Sequence, residues 1–538
     1  MSTPQQRTIN LSFFDANAHF GCGAQAIPEF AAPADRLAHM DRLGIERALT
    51  WHLAARDMDP VWGNRKLIDD LRAAKARERL IPAFVIAPTM LDRPGVIRDL
   101  KLAMQREQVR ALRIFPGTLR HTLSQIEPVI RTLAPLKPVL FLDSRDGVNP
   151  VELLALAEKF PQMPMVYMQV MWGSVISLLD LMRRRKNIIA ETSWLHTAGT
   201  IELIVREFGA ERLIFGTGFK THNGASLAGL AYADINPRAR ALITHGNLDK
   251  LLRSKPARNA ARLPSRPDRR NKIWAKFMTG QKLPFDIVDA HFHLGLLGFW
   301  PMHFRDEAEQ TAYALRRIDR VNITKAVVSG EEALFSEPVA GNRALEKLAH
   351  TGAKRFAGYL GFNPYYDQAI LSRLDEFFSG NFFIGFKLLC DYQGVPVTDP
   401  RFKPVWDYAN RHRLPILIHT WEGAFDSPRL LEKIAPNYPK AAFLLGHSGG
   451  GNAGRREAIA LAKANPNVFL EFCGSFCSEI SWEETIAKVG TDQIVFGTDG
   501  IYHDPAWELG RLVSLAIDEK TMAKFLGGNM RAILARRK

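Results

Sequence analysis

The sequence lacks the features of a membrane protein, a secreted protein and a disulfide-stabilised protein. No charge-free apolar run among the 538 residues reaches the roughly 18 residues that a membrane-spanning helix needs. Residues 1–7 contain no apolar segment of the kind found in signal peptides. The four cysteines are Cys22, Cys390, Cys473 and Cys477, and no second close pair completes a zinc-knuckle spacing. We therefore expect a cytoplasmic protein with reduced thiols and no membrane partner.

Acidic residues are outnumbered by basic ones. The chain contains 56 aspartates and glutamates and 71 lysines and arginines, which give a net charge of +15. Such a charge attracts nucleic acids, acidic proteins or anionic substrates, or it marks a basic, solvated surface. The densest basic cluster contains Arg262, Arg266, Arg269, Arg270, Lys272, Lys276 and Lys282, opposed by Asp268. No nucleic-acid motif with interleaved aromatic residues accompanies it, so we favour the solvated surface and expect no nucleic-acid partner.

The sequence does contain an internal repeat, and a repeat of this size decides the fold of a chain. The matching segments are Phe14–Gly21 (FDANAHFG) with Val288–Gly295 (VDAHFHLG), Met40–Leu49 (MDRLGIERAL) with Ile318–Val327 (IDRVNITKAV), and Phe215–Gly218 (FGTG) with Phe496–Asp499 (FGTD). The second copy has His291 and Asp499 where the first has Asn17 and Gly218. The differences between the copies are therefore the guide to function.

Each half has the length and pattern of an eight-stranded α/β barrel. The chain is 46% hydrophobic, and each half approaches the roughly 250 residues of such a barrel. Short apolar runs alternate with longer amphipathic ones, which indicates strand–helix units and a parallel sheet. In the second half the expected strands are Phe285–His291, Ala326–Ser329, Phe356–Leu360, Phe383–Leu388, Pro415–His419, Ala442–His447, Val468–Phe472 and Gln493–Gly497. In the first half they lie near Phe13, Ala48, Ala83, Ala111, Val139, Met165, Ile188 and Leu213.

The sequence therefore predicts an α/β fold class with two tandem (β/α)8 TIM barrels. We expect residues 1–263 to form the first barrel, residues 264–283 a basic linker with proline and glycine, and residues 284–538 the second barrel. Within the linker, Ile273–Met278 is expected to form a short packed helix. Active sites of such barrels lie at the C-terminal ends of the strands.

Polar side chains able to bind a metal fall at those strand ends in the second half. His291 and His293 end the first expected strand, and alternation places both on one face. The others are Lys387 on strand four, His419 on strand five, His447 on strand six and Asp499 on strand eight. Imidazoles with one carboxylate suit a divalent transition metal, zinc first, with an open position for water. Any one of these histidines alone is weak evidence for a metal site. Their order along successive strands, together with Asp499, predicts one.

The second half resembles the metal-dependent amidohydrolase superfamily, in particular its amidohydrolase-2-type hydrolases and decarboxylases. The resemblance runs from Phe285 to Asn529 and rests on His291–His293, Gly385–Leu388, Leu417–His419, Gly446–Gly450 and Gly497–Asp499. It implies that His291, His293 and Asp499 bind the principal metal, with His419 beside them. It also implies that His447 is either a ligand to a second metal or a hydrogen-bonding partner of the substrate.

Lys387 has three open roles. Its carbamylated form bridges two metals in binuclear relatives, an unmodified ammonium holds a substrate carboxylate as a point charge, and a structural lysine pairs with a neighbouring acid. We favour one metal over two. For Cys473, Glu422 and His503, which also lie near strand ends, we favour packing or loop roles.

The resemblance implies an enzyme, and we favour a metal-dependent hydrolase of a small amide, cyclic amide, ester or lactone. A metal-activated water attacks the carbonyl group, and Asp499 acts as general base and then general acid. The carbonyl is polarised by the metal or by His447. A non-oxidative decarboxylase is the alternative, which the strand-four lysine disfavours, and a binding or scaffold protein is the alternative of another class. The loops 296–301 and 392–396 are apolar and suggest a partly hydrophobic substrate, whose identity the sequence leaves open.

The first half resembles the same family with the chemistry removed. Asn17, Arg113, Leu142–Asp143, Val170–Trp172 and Gly218 stand where the second half has His291, Lys387, Ile418–His419, Gly446–Ser448 and Asp499. His19 remains, but one histidine does not hold a catalytic zinc. We therefore expect a non-catalytic barrel that forms an internal pseudo-dimer with the second one. Ligand binding by Arg113 and His19 is the less favoured role, and a higher oligomer stays open.

Overall fold

Two eight-stranded parallel sheets organise the computed structural model of the chain, one in each of two units. The units comprise Met1–Gln281 and Lys282–Lys538. The structure describes residues 11–24, 29–218, 224–254, 272–298, 300, 302, 304–350 and 354–537. Most of the basic cluster (Arg262, Arg266, Asp268, Arg269 and Arg270) lies outside the described residues.

In the first unit each strand pairs in parallel with the next, in chain order. The strands are β1 (Phe14–Phe20), β2 (Arg47–His52), β3 (Leu80–Val85), β4 (Ala111–Ile114), β5 (Val139–Asp143), β6 (Met165–Met168), β7 (Ile188–Glu191) and β8 (Leu213–Ile214). The last strand returns to the first, because Ala16 N donates a hydrogen bond to Phe215 O at 2.9 Å. This contact closes the sheet into a barrel.

Helices follow the strands of the first unit. They are α1 (Pro33–Leu43), α2 (Leu53–Asp57), α3 (Pro60–Ala73), α4 (Val96–Arg106), α5 (Leu123–Leu133), α6 (Pro150–Lys159), α7 (Val175–Arg184), α8 (Thr200–Phe208), α9 (Ala225–Tyr232), α10 (Pro237–Ala241), α11 (Asn247–Leu252) and α12 (Lys272–Met278). Local signals set several starts. At α3, for example, the Asp59 side chain accepts from Trp62 N and Pro60 occupies the first turn.

The second unit repeats the arrangement. Its strands are β9 (Ile287–Leu294), β10 (Ile323–Gly330), β11 (Phe356–Gly361), β12 (Phe383–Leu388), β13 (Pro415–His419), β14 (Ala442–Gly446), β15 (Val468–Glu471) and β16 (Ile494–Val495). Ala290 N donates to Phe496 O at 2.9 Å and closes this sheet in the same way. The predicted fold class, two tandem (β/α)8 barrels, is confirmed.

The helices of the second unit occupy the same places. They are α13 (Glu307–Arg320), α14 (Glu331–Phe335), α15 (Pro338–His350), α16 (Asp367–Leu371), α17 (Leu374–Phe378), α18 (Lys403–His412), α19 (Asn452–Ala464), α20 (Glu479–Val489), α21 (Pro505–Val513), α22 (Glu519–Ala523) and α23 (Asn529–Ala535). None of the described helices is long and apolar enough to cross a membrane.

The strands are short apolar runs because they are buried on both faces, as a parallel sheet under helices requires. In the second unit Leu417 and Leu444 belong to the barrel core and are fully buried. In the first unit Trp51 and Phe141 fill the equivalent interior. Apolar side chains fill the barrel interior. The polar side chains at the C-terminal strand ends therefore lie at the mouth of the barrel.

The two units share scaffold contacts as well as topology. Asn64 on α3 exchanges two hydrogen bonds of 2.8 Å with the backbone of Val85. Asn342 on α15 clamps Gly361 in the same way, at 2.9 and 2.8 Å. Gly63, next to the first clamp, leaves no room for a Cβ, which would lie 2.3 Å from the backbone of Ala55. The scaffold of the repeat is therefore retained where its polar site residues differ.

The described part of the expected linker contains helix α12. Trp274 Nε1 donates to Leu43 O at 3.2 Å, and Phe277 stacks on Tyr232 with ring centroids 4.6 Å apart. Trp274 and Phe277 are buried. The helix therefore packs on the first unit, which extends to Gln281.

Candidate metal centre

Two histidines at the end of β9 form the centre of the site. His291 and His293 are both buried, and their Nε2 atoms lie 3.2 Å apart. Being two residues apart in a strand, their side chains emerge on the same face. The strand end thus brings two potential ligand atoms together, as the sequence predicts.

Carboxylates fix the ring orientation of both histidines. His291 Nδ1 lies 2.8 Å from Glu471 Oε2, and His293 Nδ1 lies 2.6 Å from Glu331 Oε1. Since a carboxylate accepts hydrogen bonds, each Nδ1 carries the proton and donates it. The lone pair of each ring is then left on Nε2, which is the arrangement of metal-binding histidines with a carboxylate behind them.

His419 and His447 are oriented in the same way. His419 Nδ1 lies 2.8 Å from Asp426 Oδ2, and His447 Nδ1 donates to Cys473 O at 2.7 Å. The centroid of the His447 ring lies 4.8 Å from that of His419 and 5.1 Å from that of His291. Each ring therefore has Nε2 left as its ligand atom.

The tautomer of His447 limits its role. Burial lowers the pKa of His447 to about 3, so the ring is neutral. With its proton on Nδ1, the ring offers Nε2 as an acceptor or a ligand. Polarising a substrate carbonyl would require an N–H at that atom, which this tautomer does not have.

Asp499 lies beside the histidine pair. Its Oδ1 is 3.4 Å from His291 Nε2 and 3.3 Å from His293 Nε2. Burial raises the pKa of Asp499, but the imidazoles of His291 and His293 outweigh that effect and hold the pKa well below its usual range. Asp499 has φ of 53° and His447 has φ of 65°. Non-glycine residues in this region are uncommon and concentrate at functional sites.

Lys387 on β12 points into the same cluster. Its Nζ lies 2.7 Å from His291 Nε2 and donates to that lone pair. The lysine is fully buried, and burial lowers its pKa. Within the described residues it forms no ion pair with an acid, so the role as a partner of a neighbouring carboxylate has no support.

The donor set fits a divalent cation. Ligand atoms of His291, His447 and Asp499 all lie within 4.8 Å of one another. Burial lowers the pKa of His293, but Glu331 and Asp499 outweigh it and raise the pKa above the usual value. Imidazole nitrogens with one carboxylate oxygen are ligands of zinc and of other first-row metals.

Sequence reasoning missed the three carboxylates behind the histidines. Glu331 is the first residue of α14, Asp426 lies in the loop after β13, and Glu471 is the last residue of β15. All three are buried. Of the three, only Glu471 could have been identified from the sequence, because it is an acidic residue at the end of an apolar strand. Glu331 and Asp426 follow strands in polar segments, where acids are ordinary.

The three residues expected to have packing or loop roles differ in their contacts. Cys473 Sγ lies 3.3 Å from His291 Nδ1 and 2.9 Å from Glu471 Oε2, beside the centre. Glu422 accepts from Ala453 N at 2.8 Å, at the start of α19. His503 Nδ1 lies 2.9 Å from Glu508 Oε1.

Aromatic side chains surround the mouth of the second barrel. His419 stacks on Trp421 with centroids 6.2 Å apart and meets the edge of Tyr392 at 5.3 Å. Tyr502 lies 5.1 Å from His293 and 4.8 Å from Trp300. The two expected pocket loops contribute Trp300 and Tyr392, whereas Phe299 and Pro301 lie outside the described residues.

The first barrel has a different set of contacts at its mouth. Asn17 and Arg113 take the positions of His291 and Lys387, and Arg113 Nη2 donates to Asn17 Oδ1 at 2.9 Å. Leu53 begins the helix equivalent to α14, so no carboxylate stands where Glu331 does. His19 is buried, and burial holds its pKa well below the usual value. The described residues of this mouth do not converge as a cluster of metal donors.

The fold and the site together define a (β/α)8-barrel protein with imidazole and carboxylate donors at one mouth. The model of the amidohydrolase family (Amidohydro_2) matches residues 14–253 and again residues 288–536. The chain belongs to the amidohydrolase family, and both of its halves match it. A comparison with curated proteins gives no match.

Solved structures also resemble the chain. An uncharacterized TIM-barrel protein from Bordetella bronchiseptica has 16% identity and a TM-score of 0.37, covering 46% of this chain and 98% of that one. A 5-carboxyvanillate decarboxylase from Sphingomonas paucimobilis has 12% identity and a TM-score of 0.38, covering 47% and 99%. A probable 2-pyrone-4,6-dicarboxylic acid hydrolase from Acinetobacter baumannii has 11% identity and a TM-score of 0.37, covering 47% and 100%.

Proposed function

We propose that the second barrel is a metal-dependent hydrolase of a small amide, cyclic amide, ester or lactone. The observation that carries the proposal is the orientation of four histidines. His291, His293, His419 and His447 each have Nδ1 held by a hydrogen-bond acceptor. Asp499 lies against the first two of these rings. A structural histidine needs one satisfied nitrogen, but four rings with the same nitrogen engaged indicate a common ligand.

The residues that would hold the cation are His291, His293, His419 and Asp499. When bound there, a divalent cation would supply Lewis acidity, which lowers the pKa of a water molecule towards about 7. We favour zinc from the donor set and one cation over two. Lys387 Nζ donates to His291 Nε2 in the structure. An ammonium has no lone pair for a metal, so Lys387 would be a metal ligand only if it were carbamylated.

The remaining steps belong to side chains of the chain itself. Asp499 accepts a proton from the attacking water and returns it to the leaving group, because its carboxylate is ionised and lies within the donor cluster. His447 accepts a hydrogen bond through Nε2 and orients the water or the substrate. Lys387, a buried cation without an acid partner among the described residues, attracts a substrate carboxylate.

Oxygen labelling tests the hydrolase proposal. The full chain is incubated in oxygen-18 water with a panel of small lactones, cyclic amides and esters that carry a carboxylate. We expect turnover in which the newly formed carboxylate gains one labelled oxygen, because water is the nucleophile. Lys387→Met is expected to raise KM for the carboxylate-bearing substrates more than for their methyl esters. Turnover without incorporation of solvent oxygen would contradict hydrolysis.

A non-oxidative decarboxylase is the second candidate. Lys387 disfavours it as a carbamylated bridging group, but an unmodified Lys387 ammonium is compatible with it. A buried ammonium 2.7 Å from a histidine of the centre can hold an anionic substrate whose carboxylate leaves as carbon dioxide. In the same experiment, with aromatic and unsaturated carboxylic acids added to the panel, this reaction releases carbon dioxide and adds a solvent proton. Its product contains no oxygen-18, which separates the two reactions.

We infer that the first barrel is non-catalytic. Asn17, Leu53 and Gly218 stand where a ligand, a supporting carboxylate and the proposed base stand in the second barrel. Of the four histidines proposed for the second centre, His293 has a histidine counterpart in the first barrel, which is His19. The barrel keeps the scaffold contacts of the repeat, which supports a role in stabilising the chain.

A further inference from the structure

Arg113 is a buried cation of the first barrel. It lies on β4, is fully buried, and forms no salt bridge with any described residue. Two neighbouring arginines do have partners, since Arg36 pairs with Asp15 and Arg56 pairs with Asp57, each at 2.5 Å. A buried guanidinium costs free energy unless an anion or several acceptors compensate it.

Several hydrogen-bond donor atoms of Arg113 and Asn17 have no acceptor among the described residues. Arg113 Nη2 donates to Asn17 Oδ1 at 2.9 Å. Arg113 Nε, Arg113 Nη1 and Asn17 Nδ2 are buried and have no hydrogen-bond partner among the described residues. All three atoms are donors, so the group they suit is an acceptor. A charged acceptor would also neutralise the arginine.

The nearest acids are engaged elsewhere. Asp143 and Glu191 attract Arg113 through space, but their oxygens accept other hydrogen bonds. Asp143 accepts from Gln169 Nε2, and Glu191 accepts from Ser193 N at 2.6 Å and Ser193 Oγ at 2.7 Å. The anion that completes the guanidinium is therefore one that these acids do not supply.

Aromatic rings flank the guanidinium. The Arg113 Cζ atom lies 5.1 Å from the ring centroid of Trp51 and 5.3 Å from that of Phe115. His19 lies 5.8 Å from the same Trp51 ring. Both rings are buried and pack on each other with centroids 4.7 Å apart, so the surroundings of the guanidinium are apolar. Such surroundings suit an organic anion better than phosphate, which is strongly hydrated.

We propose that the mouth of the first barrel binds a small organic carboxylate, held by Arg113 and Asn17 beside the buried rings of Trp51 and Phe115. This site is independent of the chemistry in the second barrel. The proposed ligand site lies at the position that Lys387 and His291 occupy in the other unit. The mouth of one repeat would then serve catalysis, and the mouth of the other would bind a ligand.

Calorimetric titration of the full chain with benzoate tests the site. All proteins carry Lys387→Met, which removes the buried cation of the second mouth. We expect about one benzoate site per chain, and Arg113→Met is expected to weaken its affinity by about tenfold or more, because a charge-assisted hydrogen bond is lost. Arg113→Lys, which keeps the charge but not the planar fork, is expected to give an intermediate affinity.

Matched controls separate binding from folding. Arg131→Met removes an exposed cation of the same unit that pairs with Glu127, and we expect benzoate affinity within about twofold of the reference. Benzamide, the neutral isostere, is expected not to bind. Equal benzoate affinity in Arg113→Met would overturn the proposal, as would tighter binding of inorganic phosphate than of benzoate. If Arg113→Met fails to fold, loss of benzoate binding in Asn17→Leu carries the test, and unchanged binding there overturns it.

Discussion

Asp499→Asn is expected to lower kcat by about 10²–10⁴-fold, the range that general acid–base catalysis contributes. Asp499 Oδ1 lies 3.3–3.4 Å from both histidine Nε2 atoms of the centre, and its ionised carboxylate is the proton acceptor of the proposed reaction. An amide of the same size cannot take a proton from water. The measurement is kcat divided by the metal content of each preparation, so that loss of the cation and loss of the base are separated.

Asp492→Asn is the matched control for this substitution. Asp492 pairs with Lys524 on the surface, where its side chain is 80% exposed. The same chemical change there is expected to leave kcat within about twofold, because exposed ion pairs contribute little. If Asp499→Asn retained full turnover at equal metal content, Asp499 would have no part in the chemistry.

Arg36→Met is expected to destabilise the first unit by about 3–5 kcal/mol, because it leaves a buried aspartate without its partner. Arg36 Nη2 lies 2.5 Å from Asp15 Oδ2, and both side chains are fully buried. Thr217 also contacts this pair, at 3.0 Å from Arg36. Urea unfolding followed by circular dichroism measures the effect.

In the second unit the equivalent aspartate, Asp289, is stabilised without an arginine. Asp289 accepts from Thr498 Oγ1 at 2.5 Å, and the repeat places Ala314 where Arg36 stands. Burial raises the pKa of Asp289 to about 8, so that carboxyl is largely protonated at neutral pH. The same position is therefore stabilised by an ion pair in one unit and by a hydrogen-bonded acid in the other.

A double substitution checks the reason given for Arg36. Arg36→Met with Asp15→Asn removes both charges and mimics the neutral state of Asp289. It is expected to be less destabilising than Arg36→Met alone, because no unpaired charge stays buried. Equal destabilisation by the single and double variants would show that packing of the arginine stem, rather than charge, carries the effect.

The repeat made the fold predictable from sequence. Each half shows eight apolar runs at barrel spacing, and strand ends place polar residues at one mouth. Lys387, His447 and Asp499 could be assigned to that mouth because each lies near the C-terminal end of a strand. Strand limits were less accurate, since β16 is only Ile494–Val495 where Gln493–Gly497 was expected.

The remaining features depend on contacts across the barrel. Glu331 supports His293 from 38 positions away, and Glu471 supports His291 from 180 positions away. Nothing local to either acid indicates its partner. The proton on Nδ1 of His447 likewise follows from the carbonyl of Cys473, which sequence cannot place. Arg113 was recognised as a change from Lys387, but its leftover donors appear only in three dimensions.

Metal content per chain, measured by elemental mass spectrometry, tests the central claim most directly. Wild type, His291→Ala and His19→Ala are purified alike and supplemented with zinc and manganese. We expect about one divalent ion per chain in wild type, its loss in His291→Ala and its retention in His19→Ala. Two ions would make Lys387 a bridging carbamate. Absence of metal from wild type after supplementation, or its retention in His291→Ala, would contradict a metal centre in the second barrel.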